Sequence, residues 1–285
     1  MKRIPLATYR LQFNPAFGFR QAAEIVDYLS KLGITCLYAS PIFKARQGST
    51  HGYDIVDPNR LNPELGSIEE FEALTEAVEQ EGMMWLQDIV PNHMAFDAQN
   101  RVLIDVLENG PHSKYFGFFD VEWDHPYGGI KGRLLAPFLG RFFGECLESG
   151  EIRLCYAQEG FTIHYYDFRL PLRIESYPSI LTHRLPALKK KLGPKDPDYI
   201  KFLGVLGVLY GLRTGPSEKG ASERYDQISF VKVLLWELYA GNAEIRTFLD
   251  RNLGMFNGEG LAQGQKHLLE NLLRDQFFRL SFWKV

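Results

Sequence analysis

The chain has 285 residues, a formal net charge of −3, 45% hydrophobic and 24% charged residues. This is a globular composition, and its slight acidity offers no electrostatic basis for binding nucleic acid or an anionic membrane. No stretch approaches the roughly 20 apolar residues of a membrane span. Its three cysteines, Cys36, Cys146 and Cys155, are odd in number and form no Cys-x-x-Cys pair. That argues against a disulfide framework or structural zinc and for a reducing, cytoplasmic setting. Met1-Lys2-Arg3-Ile4-Pro5 has too short an apolar run for a signal peptide. Aromatic residues reach 14%, with 21 Phe and 14 Tyr, which suits either sugar stacking or a Phe-rich core.

In chain order, Leu6–Phe13 reads as a strand that Asn14-Pro15 breaks. Ala22, Ile25, Val26, Leu29 and Leu32 share one face of a helix, and Gly33 sits where a C-terminal cap glycine belongs. Ile34–Ala39 is a second strand, ending at Ser40-Pro41, and a polar loop runs from there to about Gly66. Ser67-Ile68-Glu69-Glu70 has the form of a capping box, with Phe71, Leu74 and Val78 as the buried stripe and Gly82 as the stop. Met83–Val90 is a third strand. Strand and helix alternate over residues 1–93, which implies right-handed βαβ units and a parallel sheet.

The rhythm then stops. Residues 94–127 are irregular, with short helical pieces near Arg101–Glu108. Glu151–Tyr156 and Phe161–Tyr166 alternate around Glu159-Gly160 and predict a β-hairpin, closed off by Leu170-Pro171. From about Pro178 the pattern is helical. Val231, Leu234, Leu235 and Leu238 form one stripe, and Leu268, Leu269, Leu272, Leu273 and Leu280 another, with turn signals between Gly204 and Gly220. The division expected is therefore 1–93 (three βα units), 94–177 (β-rich) and 178–285 (helical).

The third strand ends in Gln87-Asp88-Ile89-Val90-Pro91-Asn92-His93. A buried strand that stops at ionisable groups is how a β/α barrel presents chemistry at its C-terminal rim. Asp-x-Val-x-Asn-His at this place resembles the first signature of the α-amylase superfamily. Further matching stretches are Ala7–Phe13, Leu37–Ile42, Gly48–Asp54 continuing into Asn62–Gly66, Val106–Pro111 and Arg279–Val285, of which Gly48–Asp54 and Asp105–Pro111 are more selective than the strand-three signature. Together they resemble the maltooligosyl trehalose synthases of that superfamily, over essentially the whole chain.

The resemblance implies an α/β fold. It would be a partial TIM (β/α)8 barrel made of strands one to three, with a mixed insertion after strand three: a β-hairpin part resembling domain B, then a helical part. It implies a reaction on a maltooligosaccharide partner. The reducing-end α-1,4 bond is converted to α,α-1,1 by intramolecular transglycosylation, with a carboxylate nucleophile and a carboxylic acid/base about 5 Å apart. It implies that His93 and Tyr53 bind the sugar, that His51 and Asp54, flanking Tyr53, bind its hydroxyls, and that Asp88 and Asn92 support the site. Asp88 does so by accepting backbone or Arg hydrogen bonds. Arg10 reads as an ion-pair partner and Tyr9 as barrel-interior packing. No cofactor is implied, and no acidic cluster beside Asn92 argues for a metal.

After Asp88 the chain holds no apolar run into Arg-x-Asp, and Phe248-Leu249-Asp250 lies within helical pattern. The nucleophile and acid/base are therefore expected beyond Val285. The chain is expected to be an inactive piece of a longer enzyme, able to self-associate through open sheet edges. The alternatives are an α-1,4-glucan hydrolase of the same superfamily and a non-catalytic carbohydrate-binding protein.

Overall fold

The computed structural model describes residues 4–214, 221–259 and 267–284. The chain divides into two compact units, Met1–Arg101 and Val102–Val285. The β-rich and helical stretches thus share the second unit.

In the first unit, β1 (Thr8–Leu11), β2 (Cys36–Ala39) and β5 (Met84–Gln87) form a parallel sheet with β2 in the centre. Its register sets Arg10 beside Tyr38 and Tyr38 beside Leu86. Three helices cover one face: α1 (Phe19–Glu24), α2 (Val26–Lys31) and α3 (Ile68–Gln80). Phe19, Ala22, Val26, Leu29, Leu74 and Val78 bury against Leu11, Leu37 and Ala39 in one core. On the opposite face Arg10 and Leu86 are exposed, Leu86 at 52%.

Several elements follow directly from local chemistry. The Ser67 hydroxyl accepts from the Glu70 amide at 3.2 Å, and Glu70 accepts from the Ser67 amide at 3.0 Å, closing the capping box. Gly33, at φ +91°, ends α2: its amide donates to Ser30 O, and the Ile34 amide donates to Leu29 O. That pairing satisfies carbonyls which the helix end would leave open.

Other elements depart from the pattern. The helix expected through Ala22–Leu32 is two short helices, because Ile25 leaves helical geometry at φ −101°, ψ −1°. Leu32, placed on the buried face, is 57% exposed. The polar loop after Ser40 contains an antiparallel pair, β3 (Phe43–Ala45) with β4 (Ile55–Leu61), seated by buried Ile55 and Val56. Tyr9 lies in register with Leu37 and Trp85, on the side of the helix core, and is 43% exposed. It therefore does not share the face of Arg10.

The second unit opens with α4 (Arg101–Asn109), whose first residue ends the first unit, followed by a short 3-10 turn. Next come β6 (Leu134–Leu139) and α5 (Phe143–Glu148). The alternating stretch folds as three antiparallel strands, β7 (Ile152–Ala157), β8 (Gly160–Tyr165) and β9 (Phe168–Pro171). Helices follow: α6 (Tyr177–Leu181), α7 (Leu185–Leu192), α8 (Pro197–Thr214), α9 (Ala221–Gly241), α10 (Ala243–Phe256) and α11 (His267–Arg274). Helix α8 runs through Gly204, Gly207 and Gly211, where turns were expected, because Phe202, Val205, Leu206 and Leu209 bury along it at helical spacing. Positions 215–220 of that expectation lie outside the described residues.

The last element corrects the helical reading of 178–285. Phe278–Phe282 is a strand, β10, parallel to β6. Phe278 and Leu280 are buried with Arg279 exposed between them, the two-residue alternation of a strand.

Buried charge ties this unit together. Glu175, 6% exposed, meets Arg224 of α9 at 2.6 Å and Arg173 at 3.5 Å, while Lys232 meets Glu108 of α4 at 2.5 Å. Burial pushes the Glu108 carboxyl up from its ordinary range, and Lys232 opposes that shift. Removing one partner strands the other in a dry interior. Glu175→Ala is therefore expected to lower the stability of the chain by about 3 kcal/mol, read as a fall in the urea midpoint at unchanged slope.

Candidate functional site

The sheet end of the first unit gathers the chemistry. The Asp88 amide continues the ladder past β5 by donating to Ala39 O at 2.9 Å. The Gln87 side chain donates to Ser40 O at 3.0 Å and to Asp88 O at 2.8 Å, holding the two strand ends together. This leaves the Asp88 carboxylate to the uncovered side of the sheet, where Arg10 stands.

Three side chains close a triangle there. Tyr53 donates its hydroxyl to Asp88 Oδ2 at 2.5 Å. Arg10 Nη2 donates to the same oxygen at 3.2 Å and to the Tyr53 hydroxyl at 2.7 Å. The Arg10 guanidinium lies 4.5 Å from the Tyr38 ring centroid, and also reaches Gln12 Oε1 at 3.4 Å. Tyr53's donation, helped by Arg10, holds the Asp88 carboxyl below the usual carboxylate range against the opposing effect of desolvation. The same bond to Asp88, with desolvation, pushes the Tyr53 phenol up.

The loop that carries Tyr53 is built from its own polar groups. The Ser49 hydroxyl donates to Asp54 Oδ1 and accepts from the Gly52 amide at 3.1 Å. The Tyr53 amide donates to His51 Nδ1 at 3.0 Å, so the neutral ring carries its proton on Nε2. Glu64 accepts from the Gly48 amide at 3.1 Å through either oxygen. Gln12 donates to His51 O at 3.3 Å, which joins this loop to the strand-one end.

The structure thus brings Tyr53 and Asp88 together and seats His51 and Asp54 in the adjoining loop. Asn92 and His93 lie on the segment after β5, exposed, with no hydrogen bond to the cluster among the described residues. Tyr38, Gln12, Gln87 and Ser49 are parts of the site that the sequence reading did not single out. A signal existed for Tyr38: on the adjacent strand, in register with Arg10, it must share that residue's face.

Comparison with known proteins fits this geometry. Residues 22–146 match the family model described as alpha amylase, catalytic domain. This stretch is similar to α-amylase catalytic-domain sequence. A Mycobacterium tuberculosis (strain H37Rv) protein named as a maltooligosyl trehalose synthase is 38% identical over 164 residues, 52% of this chain and 21% of that protein. A solved glycosyltrehalose synthase matches 98% of this chain and 27% of its own at 26% identity, with a TM-score of 0.60. A cyclomaltodextrinase of Thermoanaerobacter pseudethanolicus is 35% identical over 99 residues, 34% of this chain and 17% of that protein. The chain therefore spans between 17% and 27% of the length of these relatives.

The coupling between Asp88 and Tyr53 is measurable. In Asp88→Asn the Tyr53 phenol is expected to ionise at lower pH, followed by absorbance at 295 nm with Tyr53→Phe as the assignment control. The depressed Asp88 carboxyl contributes stability that is present above its unfolded value of about 3.9 and lost as pH falls through the lower folded value. Asp88→Asn should show a correspondingly flatter loss of thermal stability below about pH 4.

Proposed function

We propose that this chain forms part of a maltooligosyl trehalose synthase: an enzyme that converts the reducing-end α-1,4 linkage of a maltooligosaccharide to α,α-1,1 by intramolecular transglycosylation. The observation that carries this reading is extent of likeness. By sequence, the Mycobacterium tuberculosis maltooligosyl trehalose synthase is matched along 52% of this chain and the cyclomaltodextrinase along 34%, and in structure the glycosyltrehalose synthase is matched along 98%. Residues 1–93 would be the first three βα units of a (β/α)8 barrel, with 94–177 as a β-rich and 178–285 as a largely helical insertion. The uncovered face bearing Arg10 and Leu86 is then the side that a closed barrel turns inward.

Each site residue takes a role in this reading. Asp88 is a brace: with its carboxyl held low by Tyr53 and Arg10, it is a poor proton donor near neutral pH. Tyr53, oriented by Asp88, offers its ring as a sugar platform. His93, which is exposed, and His51, with Nε2–H free to donate, supply hydroxyl ligands, and Asp54 and Asn92 steady the loops on either side. The nucleophile and the acid/base belong to later barrel strands, outside this chain. Cys36 and Cys146, both free and buried, suit a cytoplasmic setting. The edges at β1 and β5 would let the isolated chain self-associate.

The test is product stoichiometry on maltopentaose. A longer protein carrying this chain is expected to remove reducing ends without releasing glucose. A net rise in reducing ends would instead assign hydrolysis. The 285-residue chain alone is expected to do neither, since retention needs two carboxyl groups about 5 Å apart. Turnover by the purified chain would overturn the assignment of the nucleophile and acid/base to residues outside it.

A further inference from the structure

A second concavity lies within Val102–Val285, formed where β6 and β10 pair. It is a cavity of about 380 Å³ lined by Arg133, Arg274 and Arg279, by Glu270, and by the rings of Phe143 and Phe278. Its volume falls in the range of small-ligand sites. Three guanidinium groups face one carboxylate, an excess of two positive charges.

The pairing of the strands creates this convergence. Arg133 immediately precedes β6, and the next residue, Leu134, donates its amide to Phe277 O at 2.8 Å. Arg279 is the second residue of β10 and reaches back to Gly129 O at 2.7 Å. A Cβ at Gly129 would stand 2.6 Å from Arg279 Nη1 and from the Tyr127 ring, so both side chains pack close to this glycine. Arg279 is thus fixed before any ligand arrives. Arg274 is held by Glu270 at 2.5 Å.

Arg133 differs from its neighbours. It is half-buried, and its guanidinium makes no hydrogen bond or ion pair among the described residues. Burial, and then repulsion from Arg279, hold it below the ordinary arginine range. Asp275 attracts it but is already engaged by Arg173 at 3.4 Å. An unpaired arginine, a second arginine anchored beside it, and an aromatic wall make a receptor for an oxyanion attached to an organic body.

We propose that this cavity binds a phosphate-class oxyanion, free or as a phosphomonoester. Arg133 and Arg279 take the oxygens, and Phe143 packs against any organic moiety. The proposal stands on the side chains of this unit and is independent of the reaction assigned above.

The test is calorimetric titration of the 285-residue chain with inorganic phosphate, glucose 6-phosphate and glucose, with ionic strength held constant by sodium chloride. Saturable binding of phosphate or the phosphomonoester is expected. Arg133→Gln should weaken it about ten-fold or more, the scale of one charge-assisted contact, and Arg133→Lys by less. Lys131→Gln, a basic neighbour paired with Asp124 and not part of the cavity lining, should leave it unchanged. Tighter binding of glucose 6-phosphate than of phosphate assigns a phosphorylated metabolite, and equal binding assigns free phosphate. No saturable heat, equal affinity in an Arg133→Gln protein of unchanged circular dichroism, or glucose binding as well as its phosphate would overturn the proposal.

Discussion

The parallel register of β2 with β1 and β5 is the constraint on which the first unit depends. It aligns three strand ends, so that the polar residues that stop each strand meet in one place. Asp88 keeps its amide in that ladder by bonding Ala39 O, while its carboxylate leaves the ladder to meet Arg10 and Tyr53. A shift of register by one residue would turn Arg10 and Asp88 to opposite faces. The site is therefore a consequence of strand pairing before it is a consequence of any loop.

The sheet is covered unequally, and this sets its character. One face has a continuous aromatic and aliphatic core: Phe13 and Phe19 meet edge to face with centroids 5.5 Å apart, and Phe19 and Phe71 at 5.1 Å. The other face carries Arg10, Tyr38 and Leu86 in a row. On this face Arg10, Tyr53 and Asp88 bond one another, so the charge of each ionised group is met by a partner. The second unit uses charge in the opposite way. Glu175, Arg224 and Arg173 close on one another in its interior, whereas Arg133 reaches a cavity with no partner among the described residues.

The Gly48–Asp54 loop shows why some stretches of sequence are so restrictive. Ser49, Gly52 and Asp54 bond to one another, and His51 accepts from the amide of the residue two positions on. Few substitutions preserve all of these bonds, and their combined effect is to aim one phenol at Asp88. Asp54 helps to build the loop, so a change at Asp54 acts on the position of Tyr53.

The sequence by itself determined the βαβαβ opening, the Ser67 capping box, the Gly33 stop and the polar end of the third strand. Each of these depends on neighbours only a few residues away, and local hydrogen bonding or periodicity carries it. It also marked Asp88 and Tyr53 as candidates for one site and Arg10 as an ion-pair residue. Only the tertiary structure decided that one Asp88 oxygen serves both other side chains, that Tyr38 lies beneath the guanidinium, and that Tyr9 turns to the other face. Only it decided that Phe278–Phe282 is a strand. A five-residue stretch with three apolar positions is too short to separate helix from strand until a partner is present, and the partner β6 lies more than a hundred residues earlier. The reason is the same in each case: side chains that meet across strands are fixed by pairing between distant segments, and a one-dimensional pattern does not contain that distance.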